Sequence, residues 1–219
     1  MKTELYGLKT DDSILPLVVL NCDEDASGIY ELCRQTGSPG FILAVISGFD
    51  WNSDLSPWPH DPVFKGTPPF AGKADAYLSL ITDSLLPQIE AELDRHGKKV
   101  SFRALVGYSL AGLFALYSAY RCDMFERIVS ASGSLWYSGF LDYVQNHPLS
   151  PNVKHIYLSL GDKESRTSHP LMKTVEDNTK RIYEILSDKT DVYFEFNEGN
   201  HFQDPALRTA KGISCILNI

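Results

Sequence analysis

The sequence predicts an α/β fold: a mainly parallel central sheet with helices packed on both faces. Three observations carry that expectation. Short runs rich in Val, Ile and Leu alternate with longer stretches of helical period, the pattern of buried parallel strands joined by crossover helices. One run ends in the sharp turn Gly107-Tyr108-Ser109-Leu110-Ala111-Gly112 and gives way at once to an apolar helix. The chain has 219 residues, 43% of them hydrophobic, and no linker-like stretch divides it, so it can bury one sizeable core. A single domain over residues 1–219 is expected.

Strands are expected near residues 15–20, 41–46, 102–106, 128–131, 155–160 and 192–196, each a short apolar run. Helices fall between them. Residues 26–35 end at Gly37, and residues 74–96 end at Gly97 with a kink expected at Pro87. Residues 113–120 follow the sharp turn. Residues 170–186 open with Pro170 in the first turn and put Leu171, Val175, Ile182 and Ile185 on one face. The last helix is expected to take Asp204 as N-cap and to bury Leu207, Ala210, Ile213 and Leu217. The exception to this compact alternation is residues 48–73, which hold Trp51, Trp58 and five prolines. A loop of that length between a strand and a helix reads as a lid or pocket wall.

Composition removes several function classes. The net charge is −8 and the longest basic run is Lys98-Lys99, which leaves no surface to track phosphates, so nucleic acid is not an expected partner. Cys22, Cys33, Cys122 and Cys215 are scattered, with no C-x-x-C pair and no histidine cluster at ligand spacing. That argues against a zinc site and for reduced thiols in a cytoplasmic protein. Met1-Lys2-Thr3-Glu4 leads into Gly7, Lys9 and two aspartates rather than an apolar run, so no secretory signal is expected. The longest apolar stretch, residues 104–120, carries the Gly-Tyr-Ser-Leu-Ala-Gly turn in its middle. It reads as strand plus buried helix, and no membrane partner is expected.

The turn itself points to chemistry. A serine with small residues at minus two and plus two, between strand and helix, is the layout of a nucleophile elbow, because larger flanking side chains would collide there. The same turn puts the hydroxyl at a helix N-terminus, where free N–H groups favour developing negative charge. Acyl transfer needs a base and an acid beside it, and in an open parallel sheet these collect past the C-terminal strand ends. Of six histidines, His96, His147 and His155 have sufficient structural explanations, His60 lies in the long loop, and His169 is a weak contender before Pro170. His201 follows the last strand through Asn197-Glu198-Gly199-Asn200 and precedes the final helix, the place of the general base in a Ser…acid…His order. The acid should lie in Leu160-Gly161-Asp162-Lys163-Glu164-Ser165. Glu164 and Asp162 both qualify, and Glu164 is favoured because a long side chain three residues past Gly161 can reach back.

With these segments beside Ser132-Gly133-Ser134-Leu135-Trp136 and Gly199-Asn200-His201-Phe202, the chain resembles the putative-esterase branch of the α/β-hydrolase superfamily, which takes in esterase-D-like and siderophore-esterase-like enzymes. The resemblance runs from about Leu15 to the C-terminus. It implies an α/β-hydrolase fold, Ser109 as nucleophile, His201 as base, Glu164 or Asp162 as acid, and the Leu110 N–H as one oxyanion donor. The second donor would come from the loop Leu20-Asn21-Cys22-Asp23-Glu24-Asp25, at the Asp23 N–H. That loop departs from the family pattern: it has no glycine and three carboxylates, and negative charge near an oxyanion opposes catalysis. Trp136 would stand near the site as a pocket wall or as a core residue, while Trp51 and Trp58 are expected to wall the acyl or alcohol pocket. The expected activity is serine carboxylic-ester hydrolysis of a small acyl or aryl ester through an acyl-enzyme, with no cofactor and a small-molecule ester as the partner. Hydrolysis of a trilactone siderophore, acyl transfer, and a binding or regulatory member of weak turnover are the rival expectations. Oligomeric state is not legible in the sequence.

Overall fold

Seven strands assemble into one sheet in the computed structural model, which describes residues 1–63 and 65–219. In chain order they are β1 (Lys2–Tyr6), β2 (Ile14–Asn21), β3 (Ile42–Ser47), β6 (Lys99–Tyr108), β7 (Arg127–Ala131), β8 (His155–Gly161) and β9 (Asp191–Asn197), and across the sheet they run β1-β3-β2-β6-β7-β8-β9. Only β1 is antiparallel to its neighbour; the other pairings are parallel. The two short strands β4 (Pro59–His60) and β5 (Phe70–Ala71) pair separately inside the long loop.

The near-continuous apolar runs follow from burial on both faces. Along β2, Leu17 and Val19 enter one cluster, with α3 (Ala74–Leu80), α4 (Leu86–Arg95), α5 (Leu110–Ser118), α6 (Phe140–Asn146) and α7 (Val175–Ser187). Val18 and Leu20 enter the other, with α1 (Ser27–Gln35) and α8 (Pro205–Leu217). Strand side chains alternate between faces, so a strand covered on both sides must be apolar at every position. Helix α5 runs against the sheet centre with all of its residues buried, which explains a sequence with no polar face. Burying each Leu or Phe of this layer contributes about 1.5–3 kcal/mol.

The structure departs from expectation in several elements. Strand β1 was not expected; its Lys-Thr-Glu-Leu-Tyr sequence is exposed or half-buried and fits an antiparallel edge better than a core run. The long helix expected over residues 74–96 is broken by a π-helical turn at Ile81–Leu85, and Pro87 sits in the first turn of α4 instead of kinking a helix interior. Residues 113–120 begin earlier, at Leu110. The stretch after Pro170 starts as a 3-10 turn at Met172–Thr174 before α7. Asp204 occupies the N-cap position of α8 in a left-handed conformation and makes no side-chain capping bond, while Leu207 is exposed. Helix α6 and the short α2 (Trp51–Asp54) complete the set.

Candidate active site

The elbow joins β6 to α5 at the sheet centre. Ser109 has φ 59° and ψ −122°, a strained left-handed backbone for a non-glycine residue. Its carbonyl accepts the Ser134 N–H at 2.9 Å, and its own N–H donates to Ala131 O at 3.1 Å, so the end of β7 and the loop after it hold the turn in place. The elbow tolerates no side chain at Gly107, where a Cβ would lie 2.1 Å from the Ala111 backbone.

Three side chains from three loops meet at the C-terminal edge of the sheet. Ser109 Oγ lies 2.9 Å from His201 Nε2, and His201 Nδ1 lies 2.7 Å from Glu164 Oε2. They form one hydrogen-bonded line from hydroxyl to imidazole to carboxylate. Glu164 Oε1 faces the other way, accepting the Gly161 N–H at 2.7 Å and Arg208 Nη1 at 3.0 Å. Burial pushes the Glu164 carboxyl up, but the hydrogen bond and charge of His201, then the Gly161 N–H and Ser132, outweigh it and hold the group below the usual carboxylate value. Asp162, the alternative acid, accepts the Gly199 N–H at 2.7 Å instead. It fixes the turn before His201 without reaching the imidazole.

Two groups near this line were not singled out from the sequence. The Tyr108 hydroxyl donates to the His201 carbonyl, and burial raises that phenol above its ordinary value, keeping it a donor. Arg208 is 1% exposed, and its partner in the ion pair, the Glu164 side chain, is nearly as buried. Removing one partner of such a pair costs about 3–5 kcal/mol because the other charge is left uncompensated. The sequence carries a signal for it: Arg208 lies on the helical stripe of Gly212 and Ile216, both buried in α8, and a charge on a buried stripe implies a partner.

A cavity of about 470 Å³ opens beside Ser109 and His201. Its walls include Tyr108, Trp51, Phe202 and the whole loop from Leu20 to Asp25. Leu110 opens α5, so its N–H is one of the donors that a first helical turn leaves unpaired. In the facing loop the Cys22 N–H is taken by Ile46 O at 3.1 Å, whereas the Asp23 N–H meets no acceptor among the described residues. Two of the three carboxylates in that loop are occupied locally: Asp23 accepts the Gly48 N–H at 2.6 Å, and Asp25 accepts the Ser27 N–H and hydroxyl, each at 2.9 Å. A larger groove of about 690 Å³ lies at the N-terminal ends of β8 and β9, between His155 and Asp191. It is at the opposite edge of the sheet from Ser109.

Of the tryptophans expected near the site, neither Trp58 nor Trp136 is among the residues that line the cavity holding Ser109. The Trp58 indole N–H donates to Ser138 O at 2.9 Å, and its ring packs among Tyr117, Tyr137, Phe140 and Tyr143 at centroid distances of 5.6–6.4 Å. Trp136 packs against Phe70 and Tyr137. The other histidines lie elsewhere: His60 Nδ1 contacts Asp61 O, His96 Nδ1 Glu92 O, His147 Nδ1 Tyr143 O and His169 Nε2 Val63 O, while His155 Nδ1 lies 3.6 Å from Asp191 without a hydrogen bond among the described residues. Among the described residues no group of three or more His, Cys, Asp or Glu side chains is arranged to hold a metal ion, and no helix is long and apolar enough to cross a membrane.

A parallel sheet with helices on both faces, a nucleophile elbow after a central strand and a histidine after the last strand define an α/β-hydrolase fold. The chain belongs to the family described as "Putative esterase", whose model matches residues 24–204. It is similar to "Uncharacterized protein YbbA" of Bacillus subtilis (strain 168), 27% identical over 189 residues that make up 82% of this chain and 74% of that one. Among solved structures it is similar to an IroE-like serine hydrolase from Shewanella oneidensis, with a TM-score of 0.78 and 19% identity over 94% of this chain and 71% of the other. The siderophore hydrolase EstB from Aspergillus nidulans gives a TM-score of 0.72 and 21% identity over 98% and 88%. At these identities the structural likeness speaks to the fold.

Proposed function

We propose that the chain is a serine carboxylic-ester hydrolase acting through an acyl-enzyme, with Ser109, His201 and Glu164 as its triad. The observation that carries this reading is the continuous line Ser109 Oγ–His201 Nε2 at 2.9 Å and His201 Nδ1–Glu164 Oε2 at 2.7 Å. Ser109 Oγ attacks the ester carbonyl while His201 Nε2 takes its proton. The resulting imidazolium is stabilised by the Glu164 carboxylate, which stays ionised. The tetrahedral oxyanion is received by the N–H groups of Leu110 and Asp23. His201 then returns the proton to the leaving alkoxide, leaving an acyl-Ser109. Water, deprotonated by the same imidazole, attacks that ester and releases the carboxylic acid. The sequence of steps balances without a cofactor.

The cavity of about 470 Å³ suits a small acyl or aryl ester. A second reading, siderophore hydrolysis, is favoured by the fold neighbours, one of which is a siderophore hydrolase. Against an anionic ferric catecholate stand Asp23, Glu24 and Asp25 on the cavity wall, with no lysine or arginine among the lining residues. The four cysteines are free, which supports a reducing, cytoplasmic setting. A serine-directed fluorophosphonate tests the function: rapid labelling confined to Ser109 is expected, and an unreactive Ser109 would instead make the chain a binding or regulatory member of the fold. A panel of p-nitrophenyl esters beside a feruloyl ester and a trilactone siderophore then ranks the substrates, with alcohols added to separate transfer from hydrolysis.

A further inference from the structure

Arg208 touches the two loops that deliver Glu164 and His201 and a third, after β7, that packs beside the elbow of Ser109. From the second turn of α8, its Nη1 donates to Glu164 Oε1 and to Ser132 Oγ, each at 3.0 Å, and its Nη2 donates to Glu198 O at 2.8 Å. Glu164 belongs to the loop after β8, Ser132 to the loop after β7, and Glu198 to the turn between β9 and His201. Ser132 is held at φ 45°, an unfavourable conformation for serine that persists only where the surroundings fix it. Space for the guanidinium is reserved by Gly161, where a Cβ would lie 2.9 and 3.0 Å from its two terminal nitrogens. One planar fork thus bridges three acceptors that come from different parts of the sequence.

We propose that Arg208 is a positioning residue for ester hydrolysis, fixing Glu164 so that Oε2 alone serves His201 and sharing the carboxylate's charge so that Glu164 stays ionised. The inference rests on the proposed esterase function. Its electrostatic part follows from geometry. With Oε1 occupied by Arg208 and the Gly161 N–H, part of the carboxylate's charge is neutralised on the side away from His201. Without the guanidinium, Glu164 would protonate more readily in its buried site. The charge that supports the imidazolium would then be lost at a higher pH, which moves the acid limb of activity upward. The other titratable groups facing this centre are the Tyr108 phenol from β6, Asp162 beside the Gly199 N–H, and Asp23, Glu24 and Asp25 across the cavity. None of these can take the place of Arg208 at Oε1: Tyr108 and Asp162 are committed to backbone groups, and the other three are carboxylates.

The test compares Arg208→Gln and Arg208→Lys with the native protein on a p-nitrophenyl ester, as kcat and KM against pH, per active site titrated with fluorophosphonate. For Arg208→Gln the expected result is a fall of ~10²-fold in kcat/KM, carried by kcat, with the acid limb of the profile moved to higher pH. Arg208→Lys keeps the charge but loses the fork, so kcat falls while the acid limb stays near the native position. Should Arg208→Gln fail to fold, the lysine variant still decides: a native kcat there overturns the proposal. A folded Arg208→Gln with native kcat and an unmoved acid limb also overturns it, as does an equal loss in both variants with neither limb displaced, which would make Arg208 a purely structural brace. Absence of turnover by the native protein would count against the esterase reading, separately from Arg208.

Discussion

Trp51 and Trp58 lie in the same proline-rich segment and end in different places: Trp51 lines the cavity that holds Ser109, whereas Trp58 is anchored to Ser138 O at 2.9 Å and enclosed by aromatic rings. Their truncations should therefore part. Trp51→Ala is expected to change the ranking of esters by chain length or aromaticity, because lost pocket contacts of ~1–3 kcal/mol act unequally on different substrates. Trp58→Ala is expected to lower stability by about 3 kcal/mol and to leave the ranking alone. Thermal unfolding beside an ester panel separates the two; a reordered panel in Trp58→Ala alone would reverse the assignment.

Ser109→Ala should abolish fluorophosphonate labelling and ester hydrolysis while moving Tm by no more than a few degrees. The Ser109 hydroxyl has His201 Nε2 at 2.9 Å and Ser134 Oγ at 3.5 Å as its partners, so its loss opens no cavity in the core. Residual hydrolysis above the solvent rate, in a protein purified free of host esterases, would end the serine mechanism.

The two carboxylates after β8 divide the work differently. Glu164→Gln keeps the shape but removes the charge facing the imidazolium, and kcat is expected to fall by ~10²-fold or more. Asp162→Asn keeps an oxygen that can accept the Gly199 N–H, now held at 2.7 Å, so the effect on kcat should be several-fold at most. Steady-state rates on one ester decide it. The opposite ranking would give the acid's role to Asp162.

Stability should also report on Glu164. Its carboxyl lies below its ordinary value of 4.5 in the folded chain, so the folded state binds that proton less readily than the unfolded state. The contribution is present above about pH 4.5 and is lost as pH falls through the lower folded value. Urea midpoints measured from pH 7 downward should decline through this acid range, and the decline should be shallower in Glu164→Gln. Parallel curves for the two proteins would show that Glu164 contributes nothing to the acid limb.

The strands most plainly legible in the sequence are those whose burial is complete, with the partly exposed β9 as the exception. Strands β2, β3, β6, β7 and β8 announce themselves because both faces are covered, and the elbow does so because sterics leave only small residues at Gly107 and Ala111. His201 and Glu164 were reachable because their loops follow strand ends. Strand β1 was not, since an edge strand that is half exposed carries no apolar run. Nor was the fate of Trp58, which depends on α6, a seven-residue helix whose Phe140 and Tyr143 complete its surroundings. For Arg208 the buried stripe of α8 signals that a partner is needed, but not which one, because its three acceptors are spread over the chain from Ser132 to Glu198.

The origin of Trp51 has a consequence for how such a protein can change. Its segment leaves the sheet after β3 and returns at α3, with its own small hairpin of β4 and β5, while the reacting groups arrive from the loops after β6, β8 and β9. Trp51 thus reaches the cavity from a stretch of the gene that encodes none of the three proposed triad groups. Exchanging the stretch between β3 and α3 for that of a relative should reshape this one wall of the cavity while leaving Ser109, His201 and Glu164 in place, which makes the segment a natural unit for recombination.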